Sequence, residues 1–100
     1  MELVTCGKFP RPVQREAVAS DWQRRGFDCR LFVDRPGQEW NGFVHRSNEL
    51  VTVLEGRLEC TVREQTVRLE AGVELFIARN AVHSVKNVHG GTTRWLFGYD

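Results

Sequence analysis

The chain has 100 residues, with 14 basic and 13 acidic side chains and a formal net charge of +1 at pH 7. This length is typical of one domain that can bury its own core. The charges are spread evenly and form no basic stripe, so we expect no nucleic-acid partner. No apolar run approaches the ~18 residues of a membrane span, and the first residues lack the pattern of a signal peptide. Three widely spaced cysteines suit reduced thiols, so we expect a cytoplasmic protein without a membrane partner.

The first 26 residues predict an arm made of one short strand and one short helix. Residues 3–6 suit an edge strand, and two prolines interrupt the pattern after it. Ser20 and Gln23 have the spacing of a capping box. We therefore expect one or two helical turns over residues 17–25, with Trp22 packed inward.

From residue 27 onward the apolar residues follow the period of β-strands. Turn residues separate eight further short runs, which are residues 27–33, 39–45, 49–54, 57–63, 66–69, 74–77, 82–86 and 92–99. Nine short strands and almost no helix predict an all-β sandwich or barrel over residues 27–100, on which the arm of residues 1–26 packs. Glu74, at the start of one run, is expected on the surface.

His45 and Glu49 stand four residues apart where two of these runs meet. On a helix they would share one face, and several apolar residues around them do have helical spacing. On one unbroken strand they would lie about 13 Å apart, whereas two ligands of one metal lie no more than about 4 Å apart. The β-branched residues 51–53 favour strands. We therefore expect a hairpin in which one strand ends at His45, the chain folds back, and the next strand begins at Glu49.

A second histidine, His83, lies in a predicted strand far downstream of this pair. With His45 and Glu49 it would supply two imidazoles and one carboxylate, a set associated with non-haem iron and, with water, with catalytic zinc. Iron, zinc, nickel, cobalt and manganese are all compatible with this set. In the alternative interpretation the three side chains hydrogen-bond one another inside a metal-free core.

The spacing around His45 resembles the first signature motif of the cupins, which are small jelly-roll β-barrels. That motif runs G-x5-H-x-H-x3-E-x6-G. Gly37, His45, Glu49 and Gly56 occupy matching positions, and Phe43 stands where the motif has its first histidine. One of the family's usual four metal ligands is therefore absent, so the chain either binds a metal with three ligands or binds none.

The spacing around His83 resembles the second cupin motif, G-x5-P-x-G-x2-H-x3-N. Gly72, His83 and Asn87 match it, while Ala78 and Asn80 replace the proline and the glycine. Asn tolerates left-handed backbone better than most residues. Both motifs occur in order within one small β domain, so the resemblance implies a cupin-type jelly-roll β-barrel with one short N-terminal helix.

The resemblance also implies a divalent metal held by His45, Glu49 and His83, and a homodimer as the assembly. Several large aromatic side chains are candidates to line an apolar cavity for a small-molecule ligand; they are Phe43, Trp40, Phe76, Trp95 and Phe97, with Tyr99 on the same strand face as the last two. Two functions follow. One is a metal-binding cupin, with an isomerase, dioxygenase or lyase reaction that the fold does not choose. The other, which Phe43 favours, is a metal-free cupin acting as a small-molecule binding or sensor module.

Overall fold

The computed structural model describes residues 3–100, so the first two residues of the predicted arm lie outside the described residues. The described chain begins with strand β1 (Val4–Thr5) and helix α1 (Arg15–Arg24). Eight strands follow: β2 (Arg30–Asp34), β3 (Glu39–Phe43), β4 (Glu49–Glu55), β5 (Arg57–Val62), β6 (Gln65–Glu70), β7 (Glu74–Ile77), β8 (His83–Asn87) and β9 (Thr93–Tyr99).

The strands form two antiparallel sheets that share one core. The five-stranded sheet has the order β1-β7-β4-β9-β2, and the four-stranded sheet has the order β3-β8-β5-β6. This arrangement confirms the predicted all-β class with a jelly-roll architecture and one short helix. The two sheets remain separate layers over residues 3–100 and do not close into a continuous barrel.

Strand alternation decides which side chains fill the space between the sheets. Val51 and Val53 of β4 face Leu58 and Cys60 of β5, and all four are fully buried. Their sequence neighbours point to the opposite faces, as the two-residue period of a strand requires. The alternating apolar residues predicted within residues 57–63 thus form the inward face of β5.

Helix α1 covers the outer face of the five-stranded sheet. Val18 and Trp22, one helical turn apart, pack with Leu50 of β4 and Leu96 of β9 in a second buried cluster. Strand β4 is therefore buried on both faces. The prediction that Trp22 packs inward is confirmed.

The predicted start of the helix was wrong. Helix α1 begins at Arg15 after Gln14, whose side chain makes no capping hydrogen bond. Ser20 lies inside the helix, where its hydroxyl accepts a hydrogen bond from Arg24 at 3.0 Å. The helix has its two buried residues, Val18 and Trp22, on either side of Ser20, so Ser20 cannot be its first residue.

Glu74, expected on the surface, is buried beneath the helix. Its carboxylate accepts a hydrogen bond from the Trp22 indole at 2.9 Å and two from the Arg25 guanidinium at 2.9 Å each. Because Glu74 precedes Leu75 on β7, and Leu75 faces the inner core, Glu74 must face outward toward α1. This ion pair joins the helix to the sheet.

Candidate metal centre

The chain does fold back between His45 and Glu49, but not as a hairpin. Strand β3 pairs with β8 in the small sheet, while β4 pairs with β7 and β9 in the large sheet. Residues 44–48 therefore carry the chain from one sheet to the other. The predicted hairpin was wrong because the partners of both strands lie far along the sequence. The helical alternative is excluded, since no helix covers these residues.

Polar contacts at Asn48 fix this crossover. The Asn48 side chain donates to Asp100 at 2.9 Å and accepts from the Arg79 backbone N–H at 2.9 Å. The Asn80 backbone N–H donates to the carbonyl of His45 at 2.8 Å. Residues from the second motif and from the end of the described chain thus hold the crossover backbone just before Glu49.

Two histidines and one carboxylate meet at the end of the space between the sheets. His83 Nε2 lies 3.3 Å from Glu49 Oε1, and His45 Nε2 lies 3.7 Å from the same oxygen. One ligand atom from each of the three side chains lies within 4.8 Å of the other two. The side chains come from β4, from β8 and from the crossover, so the fold unites residues that are distant in sequence.

The hydrogen bond at the far side of His83 sets its tautomer. The ring Nδ1 lies 3.0 Å from the carbonyl oxygen of Ala81, to which it must donate a proton. In the neutral ring, Nε2 then keeps its lone pair and directs it toward Glu49. A ligand histidine held by a backbone carbonyl in this way is the usual arrangement at metal sites.

Burial and charge act in opposite directions on the pKa of His83. Burial lowers the pKa, whereas the Glu49 carboxylate and the Ala81 carbonyl raise it, and the net result is a raised pKa.

For Tyr99, burial raises the pKa to about 12, and the Glu49 charge acts in the same direction. The Tyr99 hydroxyl is therefore neutral and lies 3.3 Å from His45 Nε2, to which it can donate.

The surroundings of Glu49 show whether these residues fit a metal. Its side chain is only 6 % exposed, and Oε1 has no hydrogen-bond partner in the described part of the chain. The imidazole nitrogens of His83 and His45 lie 3.3 and 3.7 Å from this oxygen. An unpartnered buried carboxylate oxygen costs free energy, and two imidazoles with one carboxylate are ligands that zinc and non-haem iron accept. The residues fit a divalent cation.

The three polar side chains lie beside an aromatic cavity of about 230 Å³. Aromatic residues and one valine provide most of its wall, namely Phe32, Trp40, Phe43, Val85, Trp95, Phe97 and Tyr99. The ring of Phe32 packs edge to face on three of the others, among them Trp40 with centroids 5.4 Å apart. The cavity can therefore hold a small, largely apolar molecule beside the polar cluster.

A buried carboxylate behind the cavity holds two of its walls. Asp34 Oδ1 accepts the indole N–H of Trp40, and Oδ2 accepts that of Trp95, both at 3.0 Å. Its backbone carbonyl accepts a hydrogen bond from Asn87 at 3.2 Å. Sequence reasoning missed Asp34, because nothing in the pattern of a strand-ending aspartate signals two distant indole partners.

The predicted cavity residues are not all in one place. Phe43, Trp40, Trp95 and Phe97 line the cavity, whereas Phe76 does not. Phe76 lies on the outer face of its strand and packs in the cluster beneath the helix. Its strand neighbours Leu75 and Ile77 take the inward positions, so alternation sends Phe76 outward.

The comparison with protein families agrees with this architecture. The family model described as "Cupin domain" matches residues 30–99. The chain belongs to the cupin domain family. Among curated proteins no sequence matches it, and no helix in the described residues is long and apolar enough to cross a membrane.

Solved structures with the same fold come from diverse organisms. A cupin 2 domain-containing protein from Halorhodospira halophila is 24 % identical, with a TM-score of 0.70 over 91 % of this chain and 58 % of that one. The Cnp3 cupin domain of Schizosaccharomyces pombe is 20 % identical, with a TM-score of 0.68 over 73 % of this chain and 54 % of that one. Salicylate 1,2-dioxygenase from Pseudoaminobacter salicylatoxidans is 18 % identical, with a TM-score of 0.67 over 74 % of this chain and 20 % of the enzyme. This chain thus spans little more than half of the first two structures and a fifth of the third.

Proposed function

We propose that this cupin domain binds a divalent metal through His45, Glu49 and His83 and holds a small molecule beside it in the aromatic cavity. One observation carries the proposal. The buried oxygen Glu49 Oε1 lies 3.3 and 3.7 Å from two imidazole nitrogens and has no hydrogen-bond partner among residues 3–100. A cation held by all three groups would satisfy that oxygen.

Different residues of the chain would have different roles at such a site. When bound, the metal would supply a Lewis acid with coordination positions open to a ligand. His83 is already oriented by its hydrogen bond to Ala81, so it needs no new tautomer to bind. The aromatic walls would exclude water, and Asp34 would keep two of them in position. The class of ligand that suits this cavity is a small molecule with an apolar ring and a polar group.

Metal analysis of the purified protein tests this function. The protein is made without an affinity tag, and its content of iron, zinc, nickel, cobalt and manganese is measured before and after loading. We expect one divalent metal per chain in the wild type. His83→Ala should lose it, with affinity reduced by more than about 100-fold, since even outer partners of a ligand contribute about 10–100-fold.

The remaining histidine of the chain provides a matched control. His89 lies in the loop between β8 and β9 and outside the polar cluster, so His89→Ala should bind metal like the wild type. Equal loss of metal in both histidine variants, or no uptake by the wild type, would refute the metal site.

A second function, a metal-free module that binds a small molecule, is favoured by the surroundings of His45. Its ring stacks on Phe43, with centroids 6.0 Å apart and planes 16° apart. Its Nε2 is also within 3.3 Å of the Tyr99 hydroxyl. His45 is thus partly satisfied without a cation. An organic ligand that co-purifies with metal-free protein, seen by native mass spectrometry, would support this function.

A homodimer is part of the proposal. Strand β1 pairs with β7 at one edge of the five-stranded sheet, and its other edge faces no further strand among the described residues. Such an edge is a template for pairing with a second copy. Sedimentation velocity at micromolar concentration should show the dimer, and a monomer alone would contradict it.

A further inference from the structure

We propose that the Tyr99 hydroxyl oxygen is the fourth protein donor to the metal, since Phe43, which stands at the fourth ligand position of the motif, offers only carbon. This inference rests on the proposed function. The two side chains flank His45 from different directions. The Phe43 ring lies parallel to the imidazole, and the Tyr99 ring meets it edge-on with centroids 4.9 Å apart.

The lining of the cavity leaves no other candidate for a fourth donor within the described residues. Apart from His45, Glu49 and His83, the polar side-chain atoms that line it are the indole nitrogens of its two tryptophans and the Tyr99 hydroxyl. An indole N–H has no lone pair to give to a metal, and both indoles already donate to Asp34. The Tyr99 hydroxyl oxygen does carry lone pairs.

Strand register places the Tyr99 hydroxyl beside the three predicted ligands. Tyr99 is directly opposite Glu49 in the antiparallel pair of β9 and β4. Residues that are directly opposite project from the same face of a sheet. The hydroxyl oxygen consequently lies 3.3 Å from His45 Nε2, which itself lies 3.7 Å from Glu49 Oε1.

Contacts on either side hold Tyr99 in this position. Its backbone N–H donates to Asp28 Oδ1 at 2.8 Å. The guanidinium of Arg30 lies over the ring, 5.6 Å from its centroid. Phe97 packs edge-on against the ring, with centroids 5.9 Å apart. The phenol is therefore a positioned group and not a free surface side chain.

The binding step needs no oxidant or reductant. Without a metal, the phenol hydroxyl lies within hydrogen-bond distance of His45 Nε2, at 3.3 Å. Binding through this oxygen would break the phenol O–H bond and release its proton to solvent. A lone pair of the phenolate oxygen would then be available to the cation, as that of tyrosine is to haem iron. His45 Nε2, no longer paired with the phenol, would also be available to the cation.

Tyr99 is the single tyrosine of the chain, so a spectroscopic signal from a metal-bound phenolate identifies this residue. The probe is ferric iron, formed in the purified protein by loading a ferrous salt without oxygen and then admitting air. A phenolate bound to ferric iron gives a charge-transfer band in visible light, and in this protein the band can come only from Tyr99. We expect it in the wild type and expect it to be absent in Tyr99→Phe, a variant that keeps the ring and its packing. The difference spectrum cancels any contribution from the cysteines.

Metal affinity provides a readout that does not depend on colour. Competition with a chelator should show ferrous iron and zinc bound at least about 10-fold more weakly by Tyr99→Phe than by wild type, by comparison with the effect of outer partners of ligands. Adding Phe43→His to Tyr99→Phe should restore the affinity, since an imidazole then supplies the missing donor. The visible band should stay absent in that double variant.

The outcomes separate this inference from the proposed function. If the wild type binds metal without a visible band and Tyr99→Phe binds equally well, the inference is wrong and the metal site stands. If the wild type binds no metal, both are wrong. A purely structural role of Tyr99 would weaken metal binding without producing a band, which would also overturn the inference.

Discussion

The ion pair between Glu74 and Arg25 yields a quantitative prediction about how helix α1 is held on the sheet. Glu74 accepts three hydrogen bonds of 2.9 Å from Trp22 and Arg25, and its side chain is 5 % exposed. Removing one partner of a buried ion pair costs about 3–5 kcal/mol, because the other charge is left uncompensated. The Arg25 side chain is 29 % exposed and also pairs with Asp21, so water and that carboxylate would take over part of its charge.

We therefore expect Glu74→Gln to lower the free energy of unfolding by about 3 kcal/mol, at the lower end of that range. A domain of this size has a stability of about 5–15 kcal/mol, so the variant should remain folded at room temperature. Its melting temperature should fall by more than about 10 °C, since each kcal/mol shifts it by about 4–8 °C. Urea denaturation followed by circular dichroism gives the free energy, and calorimetry gives the melting temperature.

A double-mutant cycle distinguishes the ion pair from general damage. Arg25→Met keeps the aliphatic stem, and the double variant should be more stable than the sum of the two single losses predicts, with a coupling of about 1.5–3 kcal/mol. Glu70→Gln, at an exposed position on the preceding strand, should stay within about 0.5 kcal/mol of wild type. A Glu74→Gln loss as small as that of Glu70→Gln, or no coupling, would refute the argument.

Three further predictions follow from buried groups. Asp34→Asn should cost about 1.5–3 kcal/mol in urea denaturation, because an amide cannot accept both indole N–H groups, and acrylamide should then quench tryptophan fluorescence more strongly. Burial raises the pKa of Cys60 to about 12, so its thiolate is scarce and iodoacetamide should label exposed Cys6 but not Cys60 in folded protein; equal labelling would contradict this. Gly98→Ala would place a methyl group on a backbone carbonyl and should destabilise the fold by about 3 kcal/mol, whereas Gly90→Ala meets nothing and should not; similar melting temperatures would contradict this.

The sequence predicted the strands well because the alternation of apolar and polar residues that marks a strand is visible within each short run. The alternation of residues 57–63 gave β5 within one residue of its end, and the inward side chains of β9 were the predicted ones. Trp95, Phe97 and Tyr99 share a face through the two-residue period alone. Trp40 and Phe43 lie three residues apart on an edge strand of the other sheet, and both reach the cavity because the strand register shifts between them, which alternation alone does not predict.

Strand pairing and face assignment could not be obtained in this way. The pattern predicts that a strand forms at residues 39–45 but not that β8, about forty positions later, is its partner. Alternation also leaves open which face is buried when a helix covers the outer one. Glu74 and Phe76 were misplaced for this reason, since both lie on the face beneath α1. The prediction that His45, Glu49 and His83 lie close together came from the motif spacing and not from any local pattern.

The two faces of the five-stranded sheet are coupled at the site. Glu49 and Tyr99 face the cavity, while their neighbours Leu50 and Gly98 face α1. Gly98 lies so close to Trp22 and to the backbone of Asp28 that only glycine fits there, and this contact fixes the strand immediately before Tyr99. Because a strand is stiff over two residues, the packing of the helix on one face sets the position of the carboxylate and the phenol on the other. The N-terminal helix therefore contributes to the geometry of the site without lining it.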